Sequence, residues 1–349
     1  MIKGIGAQRA LLVLLSLALL EGALRLALRV PSLQMLLWRR GPEGARIATI
    51  CIARGHTDAQ VSGGREIDAQ LGWRNVIGSN EEWGPAAHSS AQHLRGTRTY
   101  ALAKPSGVER IEVFGDSFAF GSEVGDDSTY PAMLEKTLPS SEVLDFGVPG
   151  YGLDQALLRF RAEGPAYHPD IVIIGMVSLL LPRDTMAFSY WYKPYFVLDG
   201  RGQLLLRGVP VPGLAEATRE FDRGSRILDL LHLITTRPPP PDPHDPRDDA
   251  LTSALLKAFV ADIRAAGARP ILAVYPFYQE SAEGTPCSRL SREACAATGA
   301  ECVDTSAAFA EAQARGVELK VRYHFSPAAH RIVADALART LDETPTTPP

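Results

Sequence analysis

The sequence predicts an α/β protein: a parallel β-sheet held between two layers of helices, preceded by an apolar helix suited to a membrane. Three observations carry this. Short apolar runs recur at Ile111 to Phe114, Val143 to Phe146, Ile171 to Met176 and Ile271 to Tyr275, with a weaker one at Cys302-Val303. Segments of helical periodicity separate them, among them Leu153 to Ala162 and Ala250 to Ala266, and this alternation is the βαβ pattern of a parallel sheet. Crossovers between parallel strands are right-handed, so helices cover both faces and active residues gather at the strands' C-terminal ends. Finally, Leu11 to Leu20 is apolar except for Ser16.

The elements follow in chain order. The N-terminal apolar pattern continues to Val30, interrupted by the charges of Glu21, Arg25 and Arg29. About 20 such residues cross a bilayer. Glu21 and Arg25 lie four apart, so on a helix they share a face and pair near its end. No small-x-small cleavage site follows, which favours a retained anchor over a cleaved signal; a buried amphipathic helix is the remaining reading. Lys3 and Arg9 precede the segment and Arg25, Arg29, Arg39 and Arg40 follow its core, so charge does not decide its orientation.

The first strand, Ile111-Glu112-Val113-Phe114, breaks into Gly115-Asp116-Ser117 and then Phe118-Ala119-Phe120-Gly121. A strand-end turn exposes a serine hydroxyl while aiming backbone NH groups at a developing oxyanion. The second strand runs into Phe146-Gly147-Val148-Pro149-Gly150-Tyr151-Gly152, which places Gly147 beside the serine, with Gly175 at the end of the third strand.

Between the third strand and the helix near Ala250 lies an insertion of roughly 70 residues, too long for an ordinary connection, and it is expected to form a cap. Its run Ser189 to Phe196 is densely aromatic, and Phe196-Val197-Leu198 with Leu204-Leu205-Leu206 around Asp199-Gly200-Arg201-Gly202 reads as a hairpin. Two readings of the aromatics stand: a small satellite core, or a surface for a sugar or acyl chain. Arg237 to Asp249, with its proline run, reads as an exposed linker without regular helix.

Near the C-terminus the chain reads Tyr323-His324-Phe325-Ser326-Pro327-Ala328-Ala329-His330, followed by a helical pattern from Arg331 to Leu341. His324 stands just ahead of that helix, where it can return to Ser117, and His330 is expected on the helix surface. The early Gly-Asp-Ser and the late His-x-Ser-Pro-x-x-His, with the glycine-bearing second loop between them, resemble the SGNH, or GDSL, hydrolase superfamily of esterases and acyl-transfer enzymes. The resemblance covers Ile111 to Leu341. It implies a flavodoxin-like three-layer fold, Ser117 as nucleophile, His324 as its base, and the NH groups of Ser117 and Gly147 as oxyanion donors. It also suggests a catalytic domain outside the cytoplasm, held by a membrane anchor or signal segment at residues 1–40. Residues 41–105 then form an extension packed on the core, and residues 106–349 the SGNH-like domain with its cap at about 177–248.

Two positions depart from the family pattern. The orienting aspartate expected two or three residues before the histidine is replaced by Arg322 and Val321. The family's Gly-x-Asn-Asp after the third strand is Gly175-Met176-Val177-Ser178 here, so its oxyanion amide is missing and Ser178 is the weak substitute. Asp184 and Asp304 are carboxylates with no role assigned.

Cys287, Cys295 and Cys302 cluster while Cys51 stands apart. One local disulfide within the cluster suits an oxidising compartment, free buried thiols being the alternative, and spacing does not choose the pair. Histidines at ligand spacing are lacking nearby, so neither metal nor other cofactor is expected. With 349 residues, 22% of them charged, and a net charge of -4, the chain is globular and has no basic face to recommend nucleic acid. The expected activity is hydrolysis of an ester-linked acyl group through Ser117 and His324. Two alternatives remain: a non-catalytic relative that binds a glycan or acyl group in the same cleft, and an acyltransferase acting on a cell-envelope polysaccharide.

Overall fold

The computed structural model of the chain describes residues 2–38, 41–53, 60–61, 64–79, 81–177, 180–235, 246–276 and 286–343. Five parallel strands form its central sheet: β1 (Glu109–Phe114), β2 (Ser141–Asp145), β3 (Ile171–Met176), β4 (Arg269–Val274) and β5 (Glu301–Asp304). Their spatial order is β5-β4-β3-β1-β2. Every residue of β3 is buried, as expected of an inner strand covered on both faces. The order reverses between β1 and β3, and in open α/β sheets the crevice beyond the strand ends at such a point is where ligands bind.

Thirteen helices accompany the sheet among the described residues. Three precede it: α1 (Ile2–Ala27), α2 (Pro31–Trp38) and α3 (Pro42–Ala53). The short α4 (Ser117–Phe120) and α5 (Tyr130–Thr137) link β1 to β2, and α6 (Leu153–Glu163) links β2 to β3. The insertion between β3 and the helix near Ala250, expected as a cap, carries α7 (Leu180–Asp184), α8 (Leu214–Arg223) and α9 (Arg226–Thr235). Then come α10 (Pro246–Ala265), α11 (Pro286–Thr298), α12 (Ser306–Ala314) and α13 (Pro327–Glu343). Helix α10 packs on α6 and α11, while α13 packs on α5 and α12, giving the two helical layers. The main core lies between them and the sheet, with Ile111, Val113, Ile173, Leu255, Phe259, Leu272, Val333 and Leu337 all at most 1% exposed.

The end of the expected proline-rich linker is helical. Residues 236–245 lie outside the described residues, but Pro246 to Asp249 open helix α10, since proline at a first helical position gives up no intrahelical hydrogen bond. The cap hairpin is present, Tyr195–Leu198 pairing antiparallel with Leu204–Arg207.

A second apolar cluster joins the cap to the segment before the sheet. Ile47, Ile50, Leu71 and Trp73 pack with Trp191, Phe221, Val148 and Tyr151. Trp191 is fully buried and its indole NH donates to Pro212 O at 2.9 Å. Tyr190 meets Trp73 edge-on, and the Arg65 guanidinium lies 3.7 Å from the centre of its ring. These aromatics are therefore spent on packing, as the satellite-core reading expects. Of the clustered cysteines, Cys295 and Cys302 form a disulfide joining α11 to β5.

Helix α1 contains Gln8–Ala27, of mean hydropathy 2.0, long and apolar enough to cross a membrane. Leu11, Leu12, Leu14 and Leu19 on it are exposed.

Candidate active site

Strand β1 ends at Phe114, and the next residues turn the chain sharply into α4. A Cβ on Gly115 would stand 2.9 Å from the Ala119 Cβ and 3.1 Å from Gly175 O, so only glycine lets the ends of β1 and β3 approach this closely. Asp116 caps α4, its side chain accepting from Phe118 N at 2.9 Å. Ser117 is thereby fixed as the first helical residue at the C-terminal end of β1. Helix α4 stops after one turn at Gly121, whose φ of 74° is left-handed.

The late histidine does return. His324 Nε2 lies 2.9 Å from Ser117 Oγ, across 207 positions of sequence. The Phe118 ring sits against the imidazole and, edge-on, against Phe325.

The orienting carboxylate is present, from a direction the sequence did not indicate. Glu123 Oε1 lies 3.0 Å from His324 Nδ1. Its other oxygen accepts from the backbone NH groups of Arg322 at 2.8 Å, Tyr323 at 2.9 Å and His324 at 3.3 Å. Arg322, one of the two residues standing where the family places its aspartate, thus binds the acid through its backbone, and its side-chain identity is irrelevant to that bond. The turn itself closes with Val321 NH donating to His324 O at 3.0 Å. Glu123 has φ 73°, uncommon for a non-glycine residue, and its NH donates to Trp83 O. Burial pushes the Glu123 carboxyl up, but the NH groups of Tyr323 and Arg322 and the His324 ring outweigh it and hold the group below the usual carboxylate range.

The remaining expected residues lie as follows. Gly147 packs under α4, where a Cβ would meet Phe120 N at 2.4 Å. Its NH, expected to face an oxyanion, is instead donated to Asp145 Oδ1 at 2.8 Å, because that buried carboxyl folds back on the residue two places on. Burial raises Asp145 to about 7 against the pull of the Gly147 NH, Arg95 and Arg159. Ser178 lies outside the described residues. Asp184 is buried and accepts from Leu153 NH at 2.7 Å and Asp154 NH at 3.3 Å. Asp304 accepts from Ser306 NH at 3.0 Å, so Asp184 serves the start of α6 and Asp304 its own turn, and neither serves His324.

His330 corrects the expectation of a surface residue. It is fully buried, and its Nδ1 accepts from Tyr130 NH at 3.1 Å. Burial, with the charges of Arg95 and His324, lowers its pKa to about 3 and keeps the ring neutral.

Arg183 is a further residue at the site. Its Nη1 donates to Asp116 Oδ2 at 2.8 Å and to Tyr151 O at 3.1 Å, linking the residue before Ser117 to the second loop. Among the described residues no group of three or more histidine, cysteine, aspartate or glutamate side chains could hold a metal. A serine, a base touching it and an acid touching the base form an arrangement able to generate an alkoxide nucleophile.

No protein-family model matches the chain, and no curated protein does. Solved structures do. The chain is similar to a lipase/acylhydrolase from Enterococcus faecalis at 15% identity and a TM-score of 0.42, covering 69% of this chain and 100% of that one. It is similar to a catalytic mutant of an acetylxylan esterase from Geobacillus stearothermophilus at 18% identity and a TM-score of 0.41, covering 68% and 95%. A candidate lipolytic protein of the G-D-S-L family from Desulfitobacterium hafniense aligns at 17% identity and a TM-score of 0.39, covering 66% and 99%.

Proposed function

We propose that the chain is a serine acyl hydrolase in which Ser117 attacks an ester carbonyl, His324 moves the proton and Glu123 holds the imidazole. The observation that carries this reading is the unbroken contact from Ser117 Oγ through His324 to Glu123. With Glu123 accepting at Nδ1, the imidazole carries its proton there and presents a bare Nε2 to the serine hydroxyl. As Oγ bonds to the carbonyl carbon, its proton passes to Nε2 and the carbonyl oxygen becomes an oxyanion. The imidazolium then protonates the departing alkoxide, leaving an acyl ester on Ser117. A water molecule, deprotonated by the same Nε2, releases the acid and restores the serine.

For the oxyanion, this reading uses the Ser117 NH. Arg183, held beside the serine turn by Asp116, is the donor this reading sets in place of the missing family asparagine. One such donor is typically worth about 10² to 10³ in turnover. The reading also keeps α1 as a retained membrane anchor, supported by its exposed leucines and by the bonds that its polar end makes to the folded domain. The Cys295–Cys302 disulfide supports a domain in an oxidising compartment.

Hydrolysis of short-chain aryl esters by the full chain in detergent tests the proposal, beside Ser117→Ala and His324→Ala. Activity lost in both variants is the expected result. Activity absent from the parent chain would instead favour a cleft that only binds, and activity unchanged in both variants would remove Ser117 and His324 from the reaction.

A further inference from the structure

The polar end of α1 is built into the cap. Glu21 accepts at the start of α9 from Arg226 NH at 2.9 Å, Ile227 NH at 3.1 Å and Ser225 Oγ at 3.0 Å. Arg25, paired with Glu21 at 2.8 Å, donates to Asp222 O at 3.1 Å and Gly224 O at 2.7 Å, at the end of α8. An acid at a helix N-terminus and a cation at a C-terminus each complement the helix dipole. The junction between apolar helix and domain is therefore a bonded joint.

That joint fixes α9 beside α1. Leu233 of α9 packs on the satellite core, while Leu228, Leu231 and Ile234 are 66%, 50% and 69% exposed. Their spacing of three puts them on one helix face. Leu228 and Ile227 line the same cleft of about 560 Å³ as Leu17 and Ala18 of α1, with Arg25 and Arg223 at its polar end. The outer face of α9 thus continues the apolar surface of α1. Just past the span, α2 exposes Met35 and Leu36 at 54% and 52%.

We propose that α9 is a second, non-spanning membrane contact whose Leu228, Leu231 and Ile234 lie in the bilayer interface, so that the cap and the domain behind it are held against the membrane. The inference rests on the anchor reading of α1. Lipid is the occupant because the exposed face is continuous with a helix that itself needs lipid around it. Arginines on long stems at its edge suit the headgroup region.

The test uses the full chain, one copy per lipid nanodisc, with Cys51→Ser and Cys287→Ser as background and single labelling sites at Leu14→Cys, Leu228→Cys, Ile234→Cys and Arg331→Cys. Each carries an environment-sensitive fluorophore, and quenching is read with lipids bearing a nitroxide near the head of the acyl chain. Thermal melting confirms that each labelled chain is folded. The proposal expects the Leu14, Leu228 and Ile234 labels to be quenched at least about twofold more than the Arg331 label. Quenching at Leu14 with none at Leu228 or Ile234 overturns it and leaves the anchor standing. Quenching at none of these sites removes the anchor reading and the proposal with it. Intermolecular disulfide formation by the unlabelled Ile234→Cys chain in detergent, with the labelled site unquenched in the disc, makes a second copy the occupant and also overturns it.

Discussion

At the scale of single residues, the site depends on Glu123. Ser117 and His324 were legible because each sits in a short pattern at a predictable place: a strand end for one, the start of the last helix for the other. Glu123 was not. It stands six places after Ser117 in an irregular loop, where no periodicity constrains a side chain, and it reaches His324 through a left-handed backbone conformation that sequence does not announce. The only available signal was the missing acid before His324, which required a carboxylate from elsewhere. Glu123→Gln keeps the shape but presents an amide NH₂ toward Nδ1, which favours the wrong imidazole tautomer. We expect turnover of an aryl ester to fall by about 10³ to 10⁴ with the melting temperature shifted by only a few degrees. Loss of less than about tenfold would remove Glu123 from the proposed mechanism. Because bonding holds the Glu123 carboxyl below its usual range, the acid stays ionised to lower pH than an ordinary glutamate.

At the scale of elements, the strands and the long helices were legible from periodicity, but the contents of two of them were not. His330, taken for a surface residue, begins the buried stripe His330, Val333, Ala334, Leu337 and Leu341 of α13. That spacing is helical, and it pointed inward; the polarity of histidine concealed it. Strand β1 carries the second surprise. Glu112 lies in a strand covered on both faces, is 0% exposed, and neither of its carboxyl oxygens has a hydrogen-bond partner. Burial is the largest influence on it and, with Glu163 adding and Arg110 opposing, raises its pKa from 4.5 to about 9. Between those values the folded chain holds a proton that the unfolded chain has released, so stability must decline as pH rises through that window. The slope from this group alone is about 1.4 kcal/mol per pH unit. Urea unfolding at pH 6 and pH 8 should therefore show Glu112→Gln flattening the decline seen in the parent chain. An identical pH dependence in the two chains would contradict a protonated Glu112.

At the scale of the whole molecule, the cap and the segment before the sheet share one apolar cluster, against which Leu28, just past the end of α1, also packs. The aromatic run from Ser189 to Phe196 showed that the cap had something to bury. It could not show with what, because the partners Ile47, Ile50 and Trp73 lie more than a hundred residues earlier. Long-range pairings of this kind leave no periodic trace. Trp191, fully buried like Trp73 in the same cluster, should be costly to remove. Trp191→Ala is expected to lower unfolding stability by about 3 to 5 kcal/mol, read by urea denaturation. A change under about 1 kcal/mol would mean that the cluster does not tie the cap down.

The central claim is that Ser117 is a nucleophile made reactive by His324 and Glu123. It is tested most directly by treating the full chain and its Glu123→Gln variant with a fluorophosphonate and locating the adduct by mass spectrometry over time. We predict a phosphonyl adduct on Ser117 of the parent chain, formed at least about a hundredfold more slowly in the variant. No adduct on Ser117, or equal rates in the two chains, would contradict the account.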